Sequence, residues 1–348
     1  MKKNFSIDTI KRFYSLKSHK IYSLPIVILM PHSRCNCRCV MCDIWKGNNN
    51  VKQLEESEIA KMFDSFRKFN TREVVMSGGE ALMHPNFFRL CEIIKSRKIK
   101  ITLLSTGLLL KKYASEILAK TNEVIVSLDG SKDIHDKIRN IPNAFEKLKE
   151  GVQELKRLKP KYRVTARCVI QKENFEDLPN IVNAAREIGL DQISFLTADV
   201  TTDAFNRPEL WNEEKIGEVR LSREQLARFK EVIETLIQTH SKDFEKRFIA
   251  ESPEKVKRFY DYYAAFQGLN QFPLVRCNAP WVSTVIEADG TVRPCFFHKK
   301  IGNIYEKQII EILNSDESIS FRKQLDMKTD PICKKCVCYL NLSPFTML

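Results

Sequence analysis

Along residues 24–197 the spacing of apolar positions switches repeatedly between two periods. Runs rich in Val, Ile and Leu at 24–30, 73–77, 99–105, 123–128, 162–170 and 192–196 read as strands. Between them, 55–69, 85–97, 111–120, 144–159 and 178–188 carry apolar residues at helical spacing. Such alternation predicts a parallel sheet with helices outside it. Six strand–helix units are fewer than a closed eight-unit barrel needs, so the expected core is α/β, an open, partial (β/α)6 TIM-like barrel. Chemistry is then expected at the carboxyl ends of the strands.

The flanks break this rhythm. Residues 1–22 space Ile7, Ile10, Phe13 and Tyr14 as one helical face, with Lys2, Lys3, Lys11, Arg12, Lys17 and Lys20 opposite. Two readings stand: an amphipathic helix packed on the barrel, or contact with an anionic membrane surface. After the sixth strand comes the polar run Thr197-Ala198-Asp199-Val200-Thr201-Thr202-Asp203, a candidate for substrate contact. Helices at 223–239 and 253–267 follow, either as a spacer outside the barrel or as a cover for its open side. Near the end, Asp289-Gly290 between apolar runs at 282–288 and 291–293 signals a hairpin, Gly302-Asn303 a turn, and 306–313 and 318–325 short helices. The expected division is therefore 1–22, a barrel at 23–200, a helical connector or cover at 201–272, and a small α+β domain at 273–348.

Composition narrows the class. The 348 residues are 29% charged and 43% hydrophobic, ordinary for a globular protein. No apolar run approaches the roughly 20 residues of a membrane span. The start, Met1-Lys2-Lys3-Asn4-Phe5, lacks the apolar core of a signal peptide, so the cytoplasm is the expected compartment. There, eleven cysteines point to metal ligation more than to disulfides. The net charge of +13 is spread along the chain; its densest tract, 156–163, resembles a solvated helix end. That spread argues against nucleic acid and suits an anionic substrate.

Three of the cysteines carry the chemistry. Cys35-x3-Cys39-x2-Cys42 supplies three thiolates within eight residues, directly after the first strand. A structural metal site closes with four protein ligands. A four-iron cubane held by three cysteines instead leaves one iron open to a small ligand. Half of a zinc site and a chance cluster are the competing readings of the spacing alone. The spacing resembles the signature of the radical SAM enzymes, in which the open iron chelates S-adenosylmethionine (SAM) and one electron frees a 5′-deoxyadenosyl radical. Cys37, between the ligands, is expected to point away.

Further segments fit this resemblance at successive strand ends. Ser77-Gly78-Gly79-Glu80 resembles the family's GGE motif, with Glu80 accepting from the SAM ammonium. Ser105-Thr106-Gly107 ends the third strand, Thr106 standing where relatives often have Asn. Ser127-Leu128-Asp129-Gly130 ends the fourth and resembles the segment lining the SAM ribose. Arg167 on the fifth strand could reach the SAM carboxylate or form a barrel salt bridge. Cys91 and Cys168 read as buried structural thiols.

A second cluster lies at the C-terminal end. The hairpin sets Cys277 and Cys295 at its two ends, and Cys333-Lys334-Lys335-Cys336 brings a second pair back, with Cys338 close behind. A zinc ribbon would use the same pattern. The segment resembles the twitch or shortened SPASM extension of radical SAM enzymes, which implies an auxiliary 4Fe–4S cluster on Cys277, Cys295, Cys333 and Cys336. The resemblance implies two 4Fe–4S clusters, SAM, and a reductant such as flavodoxin or ferredoxin. The expected function is hydrogen abstraction from a small molecule such as a sugar, nucleoside or lipid headgroup, with the auxiliary cluster carrying electrons. A peptide-modifying enzyme of the same superfamily and a non-catalytic zinc or nucleic-acid binding protein are the alternatives.

Overall fold

A computed structural model describes residues 7–207 and 209–346. They divide into two units. One comprises 7–34, 48–103 and 274–346; the other comprises 35–47 and 104–273.

In the first unit, β1 (Ile26–Leu29) lies between two parallel neighbours, β2 (Glu73–Met76) and β7 (Ser283–Ile286). The strand β3 (Lys100–Ser105) pairs in parallel with β2. Antiparallel β8 (Thr291–Arg293) and β9 (Gly302–Asn303) follow β7. The C-terminal hairpin thus extends the sheet beside the first strand. Gly302-Asn303, expected as a turn, is instead a two-residue strand on β8. Val27, Leu29, Val74, Met76, Ile101 and Leu103 are fully buried, packed in the core that the helices Glu56–Lys68 and Phe87–Lys95 help to form.

The amino-terminal helix corrects one expectation. It spans Ile7–Ser18, and its supposed packing face is outward: Ile7, Ile10, Phe13 and Tyr14 are 76%, 46%, 54% and 56% exposed. Thr9, Arg12 and Ser15 are buried instead. Arg12 donates to the carbonyls of Ser343 (3.2 Å) and Thr346 (2.7 Å) and pairs with Asp8 at 3.2 Å. A guanidinium with several acceptors is a polar anchor, so the apolar stripe is left outside. Lys2 and Lys3 lie outside the described residues.

In the second unit, β4 (Glu123–Ser127), β5 (Arg163–Ile170) and β6 (Gln192–Thr197) are parallel neighbours. The outer edge of β6 is covered within its own unit. It is occupied by 248–250: Ile193 donates to Phe248 O at 2.8 Å and accepts from Ala250 N at 2.9 Å. Each unit thus covers a strand edge of its own, β7 beside β1 in the first and this segment beside β6 in the second. The helices Arg223–Thr239 and Pro253–Phe266 pack on each other and on the Leu178–Ile188 and β6 layer. Tyr263 fixes the second of them, donating to Ile170 O at 2.5 Å and accepting from Ala198 N at 3.1 Å.

Candidate functional site

The loop carrying Cys35, Cys39 and Cys42 follows β1 and belongs to the second unit, where three sets of contacts shape it. The loop's Arg38 and Val40 donate to Arg139 O (3.0 Å) and Ile138 O (3.2 Å), at the end of the helix Lys132–Arg139. Thr106 donates its hydroxyl proton to Asn36 Oδ1 at 2.9 Å, tying the end of β3 to the loop. Asp43, next to Cys42, accepts from Trp211 Nε1 at 2.9 Å and pairs with Lys46 at 2.9 Å.

Arg139 is the residue that pattern reading missed. Its buried guanidinium donates to Cys39 Sγ at 3.5 Å and forms an ion pair with the fully buried Asp129. The other Asp129 oxygen accepts from Val169 N at 2.8 Å. The carboxylate expected beside a ribose is therefore engaged inside the fold. A buried charge needs a partner of this kind. Cys37 is buried beside Cys39. Cys37 and Arg139 hold the Cys39 thiol below its usual value against the cost of burial. Burial pushes Cys42 up to about 12.

A polar row crosses the strands of this unit. Ser127, Arg167 and Ser194 are register partners on β4, β5 and β6, and all three are half-buried. Arg167 Nε donates to Ser194 Oγ at 3.4 Å. The flanking Val126, Ala166, Cys168, Ile193 and Phe195 point the other way and are buried. Alternation along each strand thus presents two hydroxyls and one guanidinium on the open face.

The run 197–203 is not an open polar loop. Asp199 and Thr202 are buried, and they enclose Arg207, which donates to Asp199 Oδ2 (2.8 Å), Thr202 O (3.0 Å) and Asp199 O (2.7 Å). The same guanidinium stacks 3.8 Å from the Trp211 ring centroid and approaches Met41 O at 3.5 Å. A buried guanidinium draws in every nearby acceptor, so this segment forms a wall against residues 41–43.

Of the remaining expected site residues, Ser105 is buried and accepts from Gly107 N at 3.1 Å. Gly78, Gly79 and Glu80 lie in the first unit. Gly78 has φ +111°, and a Cβ there would come within 3.0 Å of His32 O. Glu80 is buried; its main-chain N–H donates to Arg34 O at 2.8 Å and its side chain accepts from Leu82 N at 3.3 Å.

The first unit also holds the second cysteine group. Cys277, Cys295, Cys333, Cys336 and Cys338 line one cavity together with His298 and apolar side chains. Cys277 Sγ accepts from Ala279 N at 3.4 Å. Burial raises the thiols of Cys277, Cys295 (to about 11), Cys333 and Cys336. A metal bound there would have to displace these protons. Cys91 and Cys168 are fully buried, one on the helix Phe87–Lys95 and the other on β5.

Comparison with known proteins agrees with this arrangement. Residues 29–185 match the radical SAM superfamily, and residues 277–337 match an iron–sulfur cluster-binding domain, SPASM. This protein is a radical SAM enzyme. Its relatives include an Fe-coproporphyrin III synthase of Methanosarcina barkeri, 24% identical over 90% of this chain and 80% of the relative. A cysteine-type anaerobic sulfatase-maturating enzyme of Clostridium novyi is 25% identical over 91% of this chain and 86% of the relative. Among solved structures, Streptococcus suis SuiB bound to SAM shares the fold with a TM-score of 0.63 at 14% identity, over 96% of this chain and 78% of that one. SuiB bound to its precursor peptide SuiA gives 0.63 at 15%, over 91% and 71%.

The cofactors of this radical SAM enzyme are 4Fe–4S clusters and SAM. The donors fit them. Three thiols share one loop, with a guanidinium on the middle one; five thiols share one largely apolar cavity, where a cubane needs four. Among the described residues no helix is long and apolar enough to cross a membrane.

Proposed function

We propose that this radical SAM enzyme cleaves SAM reductively and abstracts hydrogen from a compact, anionic small molecule. The supporting observation is the Cys35–Cys42 loop, with Arg139 donating to Cys39. When bound, the first cluster supplies one electron, drawn from a reductant such as flavodoxin or ferredoxin, that breaks the SAM carbon–sulfur bond. Cys35, Cys39 and Cys42 would hold it. Arg167, flanked by Ser127 and Ser194, is proposed for a carboxylate, and Glu80, by its resemblance to the GGE motif, for an ammonium. Arg207 and Trp211 wall one side of the loop, which favours a compact substrate over an extended one. The net charge of +13 favours an anion. Cys277, Cys295, Cys333 and Cys336 would hold an auxiliary cluster that carries electrons.

Anaerobic assay of 5′-deoxyadenosine tests this reading. A small-molecule extract should raise its yield above the uncoupled level, and a peptide fraction should not. Stimulation by peptides alone would transfer the protein to the peptide-modifying class. The Cys35→Ala/Cys39→Ala/Cys42→Ala variant should lose all cleavage; retained cleavage would remove these residues from the site.

A second reading concerns the helix Ile7–Ser18, whose apolar face is turned outward beside Lys11 and Lys17. It suits docking on an anionic bilayer, which would bring a lipid headgroup within reach. The protein should sediment with vesicles containing phosphatidylglycerol and not with pure phosphatidylcholine. Ile10→Glu/Phe13→Glu should abolish this, and equal sedimentation with both vesicles would refute it.

A further inference from the structure

The auxiliary cavity contains a histidine whose ring stands against one of its sulfurs. His298 is buried, with its ring edge-on to Phe321 at 5.0 Å and its carbonyl accepting from Arg293 Nη1 at 3.2 Å. Its ring Nε2 stands 3.3 Å from Cys333 Sγ and 3.8 Å from Asp330 Oδ1. Asp330 is an acceptor, and the Cys333 sulfur becomes one when its thiol ligates as a thiolate, so a ring proton on Nε2 would serve the ligated state. Asp330 in turn accepts from Cys333 N at 2.8 Å and Ile332 N at 3.0 Å, fixing the short turn that presents the thiol.

We propose that His298 is a positioning residue of the auxiliary cluster, donating from Nε2 to the Cys333 sulfur and thereby raising the cluster's reduction potential. This rests on the reading that Cys295 and Cys333 are ligands. A hydrogen bond to a ligating sulfur withdraws charge from it and favours the reduced cluster. Cys333 thus has a dedicated donor and a fixed turn.

The test isolates the auxiliary cluster in the Cys35→Ala/Cys39→Ala/Cys42→Ala background and titrates it by electron paramagnetic resonance against potential. His298→Leu should shift the midpoint to a more negative value. His298→Gln, whose amide can still donate, should lie nearer the parent. Identical midpoints in all three proteins would overturn the proposal. A loss of iron with an unchanged midpoint in what remains would also overturn it, since His298 would then act only in packing. A background variant without any cluster would overturn the auxiliary-cluster reading and this inference with it. SAM cleavage by the intact enzyme would still report separately on the first site.

Discussion

Arg139 Nη1 donates to Cys39 Sγ at 3.5 Å across 100 residues of sequence, and the same guanidinium neutralises the buried Asp129. One side chain thus holds the middle thiol of the loop and satisfies the end of β4. Arg139→Leu should strand the Asp129 carboxylate and cost about 3–5 kcal/mol of stability. Anaerobic urea denaturation measures it. Adding Asp129→Asn to that variant should recover part of the loss, because the stranded charge is gone. Iron at the first site should fall in both variants.

Gly78 makes a sharper point about backbone. Its φ of +111° excludes a side chain at low cost, and a Cβ would press on His32 O at 3.0 Å. Gly78→Ala should therefore destabilise the protein by about 1–3 kcal/mol. The denaturation midpoint should fall, and SAM affinity of the reconstituted enzyme should weaken with it. Wild-type values for both would show that the turn relaxes freely.

Much of this architecture was legible because strands rich in β-branched residues end at glycine turns, as at Ser77-Gly78 and Thr106-Gly107. The helix Lys132–Arg139 was not. Its apolar residues are only Ile134 and Ile138, and its buried side also includes His135 and Arg139. No periodic signal marks a helix whose inward face is half polar. The helix Ile7–Ser18 failed differently. Its two faces were readable, but periodicity does not say which one turns inward; Arg12 and the carbonyls of Ser343 and Thr346 decide that, over 331 and 334 residues of separation. The open appearance of 197–203 was likewise reversed by Arg207, whose demand for acceptors cannot be read from the run itself.

Acid should weaken the fold through its histidines. All six have pKa values below the ordinary range, with burial the leading cause in each. His32 is lowered to about 4, by burial and then by His84 and Arg34, and its Nδ1 has no hydrogen-bond partner among the described residues. A histidine with a depressed folded pKa is neutral in both states above about 6.5. Below that value the unfolded chain takes up the proton first, so stability falls as pH drops from about 6.5 towards 4. Unfolding free energy measured at pH 7 and pH 5 should differ in that sense, and His32→Asn should reduce the difference. A flat profile in the wild type would contradict the burial argument.

The final prediction concerns the wall beside the first cysteine loop. Trp211 Nε1 donates to Asp43 Oδ2 at 2.9 Å while its ring stacks on Arg207 at 3.8 Å. Asp43 is buried and directly follows Cys42, so the indole N–H restrains the backbone that carries two of the three thiols. Trp211→Phe keeps a ring for Arg207 but leaves Asp43 one donor short, at a cost of about 1–3 kcal/mol. The reconstituted variant should then lose first-site iron to a chelator faster than the parent, with auxiliary-site iron released at the parent's rate. If Trp211→Phe releases first-site iron no faster, the stacking alone holds the wall and the hydrogen bond to Asp43 has no part in retaining the cluster.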